Sequence, residues 1–149
     1  MDPGRAVERS GIGGNALNWQ EHPDCPAEGA RLCALNDIPD QGGREVSFGS
    51  GKENFKILLL RRADQVWTYL NFCPHFSLPL NYEPQTFVTF EDLIMCAHHT
   101  AFFRFEDGQC VDGPCVGDGL IALPSYISNN EIYFGRSANS VALGDTSKA

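Results

Sequence analysis

Apolar and polar residues alternate along this chain in short runs that seldom keep a helical period for three turns. Arg31-Leu32-Cys33-Ala34-Leu35 is a brief apolar run ended by Asn36-Asp37. Arg44-Glu45-Val46-Ser47-Phe48 alternates with a period of two, the pattern of a half-buried strand, and stops at Gly49-Ser50-Gly51. Phe55 to Arg61 and Gln65 to Leu70 are two more strand-like runs, joined by Arg62-Ala63-Asp64 as a hairpin. Phe87-Val88-Thr89-Phe90 and Leu93-Ile94-Met95 flank Glu91-Asp92, and Ala101 to Phe105, Leu120 to Leu123 and Glu131 to Phe134 complete the series. Asp107-Gly108 and Asp112-Gly113-Pro114 are turn signals, and Asn71 to Leu80, with Pro74 and Pro79, reads as a loop. The pattern predicts an all-β domain of roughly eight to ten short strands, a sandwich or small barrel.

A length of 149 residues favours one domain. Residues 1–28 are rich in Gly, Pro, Asn and charge without periodicity, and residues 137–149 are polar, so both read as flexible arms around a domain at 29–136. The longest apolar run, Ile57 to Leu60, is cut off by Arg61-Arg62, far short of the roughly 18 residues a membrane-spanning helix requires. Met1-Asp2-Pro3-Gly4-Arg5 lacks the apolar core of a secretory signal, and a cytoplasmic location is expected. A net charge of −8 argues against nucleic acid, whose phosphates would be repelled, and otherwise favours solubility. Without an export signal, metal binding rather than disulfide formation is the expected use of some of the six cysteines.

Two cysteines stand beside histidines. Cys73-Pro74-His75 is a C-x-H pair, Cys96-Ala97-His98-His99 holds a C-x-x-H pair, and 20 residues separate His75 from Cys96. Each pair lies on a loop at the end of strand-like segments, so two loops can converge on one metal centre. Thiolates and imidazoles together suit iron–sulfur chemistry. The same donors suit tetrahedral zinc, and buried core cysteines beside incidental histidines are the purely structural alternative.

These residues resemble the Rieske iron–sulfur family, closest to the soluble Rieske-type ferredoxins of bacterial oxygenase systems. Pro74, Pro79 and Leu80 match its first loop, C-P-H-x-x-x-P-L. Phe103 and Gly108 fall where the family has an aromatic and a turn glycine, and Gln109 to Cys115 is similar to its proline-loop stretch. Leu123-Pro124 and Glu131 to Phe134 are similar to its closing strands, so the resemblance covers about Arg31 to Arg136. It implies a Rieske-like antiparallel β-sandwich with an inserted two-loop cluster-binding subdomain. It also implies one [2Fe–2S] cluster, with Cys73 and Cys96 on one iron and His75 and His99 on the other. Neutral imidazoles in place of two thiolates remove negative charge, which raises the potential above that of an all-cysteine ferredoxin.

The departures are informative. Ser77 and Thr100 occupy positions where the family has glycine, and His98 stands where ferredoxins carry an aromatic residue. Leu78 and His98 exclude the loop-bridging disulfide of respiratory Rieske proteins, and Ala101 lacks the hydroxyl that branch places near the cluster. The resemblance therefore points to the low-potential, ferredoxin-like branch. Cys110 and Cys115 are expected to stay reduced, and Cys25 and Cys33 show no partner pattern. Trp67 and Tyr69 read as strand residues packing on a core, and His22 as a solvated residue of the N-terminal arm.

The implied function is one-electron transfer between a flavin-containing reductase and a terminal oxygenase, without catalysis by the carrier itself. The docking surface would be the cluster tip, edged by Pro74, Phe76, Ser77, His98 and Pro114. Two alternatives belong to other classes: a non-catalytic Rieske-fold subunit similar to the nitrite reductase small subunit, and a zinc-binding module.

Overall fold

Four consecutive apolar residues, Ile57-Leu58-Leu59-Leu60, fix the middle of the molecule. Side chains alternate across a strand, so an unbroken apolar run buries both of its faces. All four are 0% exposed. Leu58 and Leu60 enter one core, and Ile57 and Leu59 enter another. The strand next to it repeats this, sending Trp67 and Tyr69 to the first core and Val66 and Leu70 to the second. The expectation that Trp67 and Tyr69 pack on a core holds, and the strand is in fact buried from both sides.

The computed structural model describes residues 19–51, 54–73, 79–81, 85–97, 101–113 and 116–136. Its strands are β1 (Arg31–Ala34), β2 (Gly42–Phe48), β3 (Phe55–Arg62), β4 (Gln65–Leu70), β5 (Val88–Phe90), β6 (Leu93–Met95), β7 (Phe102–Arg104), β8 (Cys110–Asp112), β9 (Ser125–Ser128) and β10 (Glu131–Phe134). They form three antiparallel sheets in the orders β1-β10-β9, β2-β3-β4 and β5-β6-β7-β8. The β2-β3-β4 sheet contributes to both cores. The β5–β8 sheet supplies Ile94, Phe103 and Cys110 to the first, and the β1-β10-β9 sheet supplies Leu32, Cys33, Ile132 and Phe134 to the second. The all-β architecture read from the sequence is thereby confirmed, and among the described residues the elements besides strands are 3₁₀ turns at Trp19–Glu21 and Leu35–Asp37. Among the described residues no helix is long and apolar enough to cross a membrane.

Several local expectations change. Leu120 to Leu123 is not a strand; it lies along the free edge of β4, with a single bridge between Tyr69 and Ala122. The Leu70 N–H donates to Ile121 O at 2.8 Å and the Leu123 N–H to Thr68 O at 2.9 Å. Within the arm placed at 1–28, the described residues from Trp19 on contribute to the second core, where Trp19 meets Phe134 edge-on at 5.8 Å and Cys25 packs nearby. His22, read as solvated, sits edge-on to Phe55 at 5.3 Å, and its Nδ1 accepts the Asp24 N–H at 3.0 Å. β8 and β9 went unread. β9 is closed onto β10 by Asn129-Asn130, both left-handed at φ 52° and 62°, the geometry of a two-residue hairpin turn.

Gly108 is the turn glycine that the loop between β7 and β8 requires. Its φ is +73°, and a Cβ there would lie 2.8 Å from the Tyr69 ring. That ring cannot retreat, since the Tyr69 hydroxyl donates to Phe105 O at 2.6 Å in the buried interior. Gly108→Ala is expected to cost about 1–3 kcal/mol through left-handed strain and overpacking, measurable as a lower denaturant midpoint at unchanged slope.

Candidate metal centre

The two candidate cysteines reach the first core from different sheets. Cys73 lies on the segment that leaves β4, and Cys96 directly follows β6. Both are 0% exposed and belong to the cluster that holds Leu80, Ala101 and Phe103. Loop segments rarely bury their backbone without partners, because orphaned amides are costly. Here the partners come from the other loop. The Ala97 N–H donates to Leu80 O at 2.7 Å, tying the segment after Cys96 to the end of the Cys73 loop. The Cys96 N–H donates to Ala101 O at 2.9 Å and so closes the second loop on itself.

A polar bracket, unforeseen from the sequence, fastens the first loop. Asn71 is 3% exposed. Its Oδ1 accepts the Leu80 N–H at 2.9 Å, and its Nδ2 donates to Asn81 Oδ1 at 2.9 Å and to Glu45 Oε2 at 3.1 Å. The Asn71 N–H also donates to Lys56 O on β3 at 2.9 Å. One side chain therefore pins both ends of the loop to each other and to β2. Asparagines at the two margins of a Cys-bearing loop were the available signal, since Asn side chains commonly bond nearby backbone. Asn71→Ala leaves the buried Leu80 N–H without its acceptor and is expected to destabilise by about 1–3 kcal/mol. The check is a chemical denaturation series together with the rate of iron loss to a chelator, which should rise.

His75 and His99 lie outside the described residues, as do Pro74, Phe76, Ser77, Leu78, His98, Thr100, Pro114 and Cys115. The expectations for His98, for the pairing of Cys110 with Cys115, and for the two glycine replacements fall there with them. Pro79, Leu80, Ala101, Phe103 and Gly108 are described, and of these Leu80, Ala101 and Phe103 are buried around the two cysteines. Cys33 and Cys25 belong to the second core. Burial pushes the Cys33 thiol up to about 11 and raises that of Cys25, so both behave as packing residues.

The donor chemistry fits an iron–sulfur centre. Two cysteines in one apolar cluster could remain thiolates there only beside compensating positive charge, which coordinated iron supplies. Cys73 and Cys96 would supply its thiolate ligands, and the histidines of the same two loops would complete the set.

The solved structures that the chain is similar to share this architecture. The ferredoxin of carbazole 1,9a-dioxygenase from Nocardioides aromaticivorans IC177 superposes with a TM-score of 0.60 at 18% identity, over 74% of this chain and 100% of that one. A chain of the complex of reduced oxygenase and oxidised ferredoxin in carbazole 1,9a-dioxygenase gives 0.57 at 21% identity, over 70% and 90%. A putative nitrite reductase NADPH small subunit gives 0.52 at 15% identity, over 72% and 98%. Likeness at these identities speaks for the fold alone. A comparison with curated protein sequences finds no match. The model of the Rieske [2Fe-2S] domain matches residues 29–127, a span that takes in the Asn71 bracket and both cysteine loops. By that match the chain belongs to the Rieske [2Fe-2S] domain family.

Proposed function

We propose that this protein is a Rieske-type ferredoxin, a one-electron carrier between a flavin-containing reductase and a terminal oxygenase. Residues 29–136 form the cluster-bearing domain in this reading. Cys73 and Cys96 ligate one iron of a [2Fe–2S] cluster, and His75 and His99 ligate the other. The observation that carries it is the burial of Cys73 and Cys96 in one core cluster, on loops joined by the Ala97–Leu80 hydrogen bond.

The cluster, when bound, accepts and returns single electrons. The protein's part is to hold it with little rearrangement. Leu80, Ala101 and Phe103 keep water from the cysteine side, and Asn71 fixes the loop that carries Cys73 and His75. The four histidines are His22, His75, His98 and His99, and His22 is packed against Phe55. Beside the proposed ligands the sequence offers only His22 and His98 towards a 2-His-1-carboxylate site, which favours a carrier over an oxygenase. Oxygenase–ferredoxin complexes among the structures of similar fold support an oxygenase as electron acceptor.

In the direct test, the oxidised, cluster-loaded protein is mixed anaerobically with NADH and a catalytic amount of flavin reductase. Its visible absorption should bleach, and should return on mixing with an oxidised Rieske-type terminal oxygenase. Constitutive co-purification with a larger enzyme, in a form that needs no iron, would instead establish the nitrite reductase small-subunit reading, which the similar fold of such a subunit keeps in view.

A further inference from the structure

The outer face of the β5–β8 sheet is apolar along β5 and β6, where a solvated face would be polar. Register sets Val88 opposite Met95 and Met95 opposite Phe102, and it sets Phe90 opposite Leu93. With side chains alternating along each strand, Val88, Phe90, Leu93, Met95 and Phe102 share one face, joined on β7 and β8 by Arg104 opposite Leu93 and Asp112 opposite Phe102. Ile94 and Phe103 take the other face and are fully buried in the first core. None of the five outer residues belongs to either core or packs among its neighbours; Leu93, Met95 and Phe102 are half-buried, and Val88 and Phe90 are exposed. Phe90 is 63% exposed and Val88 46%, on a strand that is itself a sheet edge. Exposed edge strands are ordinarily blunted by charge, and contiguous exposed apolar groups commonly mark an interface.

The face is bordered by carboxylates, Glu91 and Asp92 in the turn from β5 to β6 and Glu106 and Asp107 in the turn from β7 to β8. From Val88 to Gly113 the chain carries five carboxylates, Glu91, Asp92, Glu106, Asp107 and Asp112, against one cation, Arg104. Arg104 is already paired with Asp107, and Asp92 takes Arg62 of β3 at 2.6 Å. Glu91, Glu106 and Asp112 remain exposed. The face also runs up to the candidate centre, since Met95 directly precedes Cys96 and Phe102 directly follows Ala101. A second copy of the chain would set one acidic rim against another and a net −8 against −8. A partner with an apolar centre ringed by lysine and arginine gains from both the burial and the charge.

We propose that this face docks a redox-partner protein whose contact surface has an apolar centre and a basic rim, placing it side-on to the two cysteine loops. That the docked protein exchanges electrons rests on the carrier reading above; the docking rests on the face itself. Ferricytochrome c, whose haem edge is an apolar spot ringed by lysines, is a suitable probe. Titrated into the isotope-labelled, cluster-loaded protein at low ionic strength, it should shift amides from Val88 to Met95, and salt should reverse the shifts. Val88→Ser with Phe90→Ser should weaken binding at least about tenfold, with unfolding midpoint and redox potential unchanged. The same pair should slow electron transfer by a comparable factor, each event oxidising the cluster by one electron as the ferric haem becomes ferrous. Shifts confined to the loop tips, or unaltered binding by the double variant, would overturn the proposal. So would a wild-type dimer that the substitutions render monomeric, because the face would then be a self-interface. Binding at this face without electron transfer would uphold the docking and defeat the carrier reading.

Discussion

The Cys96→Ala variant is expected to purify without iron or acid-labile sulfide while its sheet circular dichroism is retained. Cys96 ends the segment that begins at β6, and its amide already closes the second loop onto Ala101. Removing the thiol takes away a metal donor and little volume, so the fold should lose only about 1 kcal/mol. The cluster should be lost altogether, because a single remaining thiolate cannot hold an iron that needs two protein ligands. Cys33→Ala provides the control. That thiol is equally buried, belongs to the other core and should leave the iron content unchanged. Equal iron in the two variants would show that Cys96 is a core residue and not a ligand.

Phe103→Ala should be the most damaging substitution in the interior, at about 3–5 kcal/mol. The ring is 0% exposed and lies in the cluster that contains Cys73, Cys96 and Leu80. Its strand, β7, sits between β6 and β8, with Phe103 directly opposite Ile94 and Cys110, so neither neighbour can swing in to fill the space. The same ring shares its core cluster with both candidate cysteines, so loss of stability and loss of colour on heating should coincide. Unfolding followed in parallel by circular dichroism and visible absorption checks this. Phe90→Ala, at an exposed position, should leave both transitions in place.

The strands that the sequence revealed are those whose own side chains specify them. β2 alternates, and β3 is an apolar run too long for a turn and too short for a helix. The missed strands are short and owe their form to partners. β8 holds three residues between two turn signals, and the pairing with β7 makes it a strand. β9 begins after Pro124 and includes two serines, yet Tyr126 stacks on Tyr133 at 5.3 Å across the hairpin. Asn129-Asn130 could have revealed it, because both residues tolerate the left-handed region that a two-residue turn demands. Leu120 to Leu123 failed in the opposite way. Its apolar pattern reflects contact with β4 and both cores, without the repeated ladder of a strand.

The candidate site divides along the same line. Cys73 and Cys96 could be picked out because cysteine beside histidine at fixed spacing is rare without a metal. Asn71, Asn81 and Glu45 could not, because asparagine in a loop is commonplace and only the fold shows that Asn71 is buried between them. The apolar outer face was hidden for a related reason. Leu93-Ile94-Met95 reads as a strand whichever side it turns to the core, and register decides that Ile94 points inward.

Cys73, His75, Cys96 and His99 are proposed to hold a [2Fe–2S] cluster that carries one electron. The most direct test is the electron paramagnetic resonance spectrum of anaerobically purified, dithionite-reduced protein, with iron and sulfide quantified on the same sample. A rhombic signal with the low average g-value of a histidine-ligated cluster, integrating to one spin per cluster, is the expected result. A silent spectrum from protein that holds zinc or no metal would contradict it, leaving the fold in place and removing the electron-carrier function.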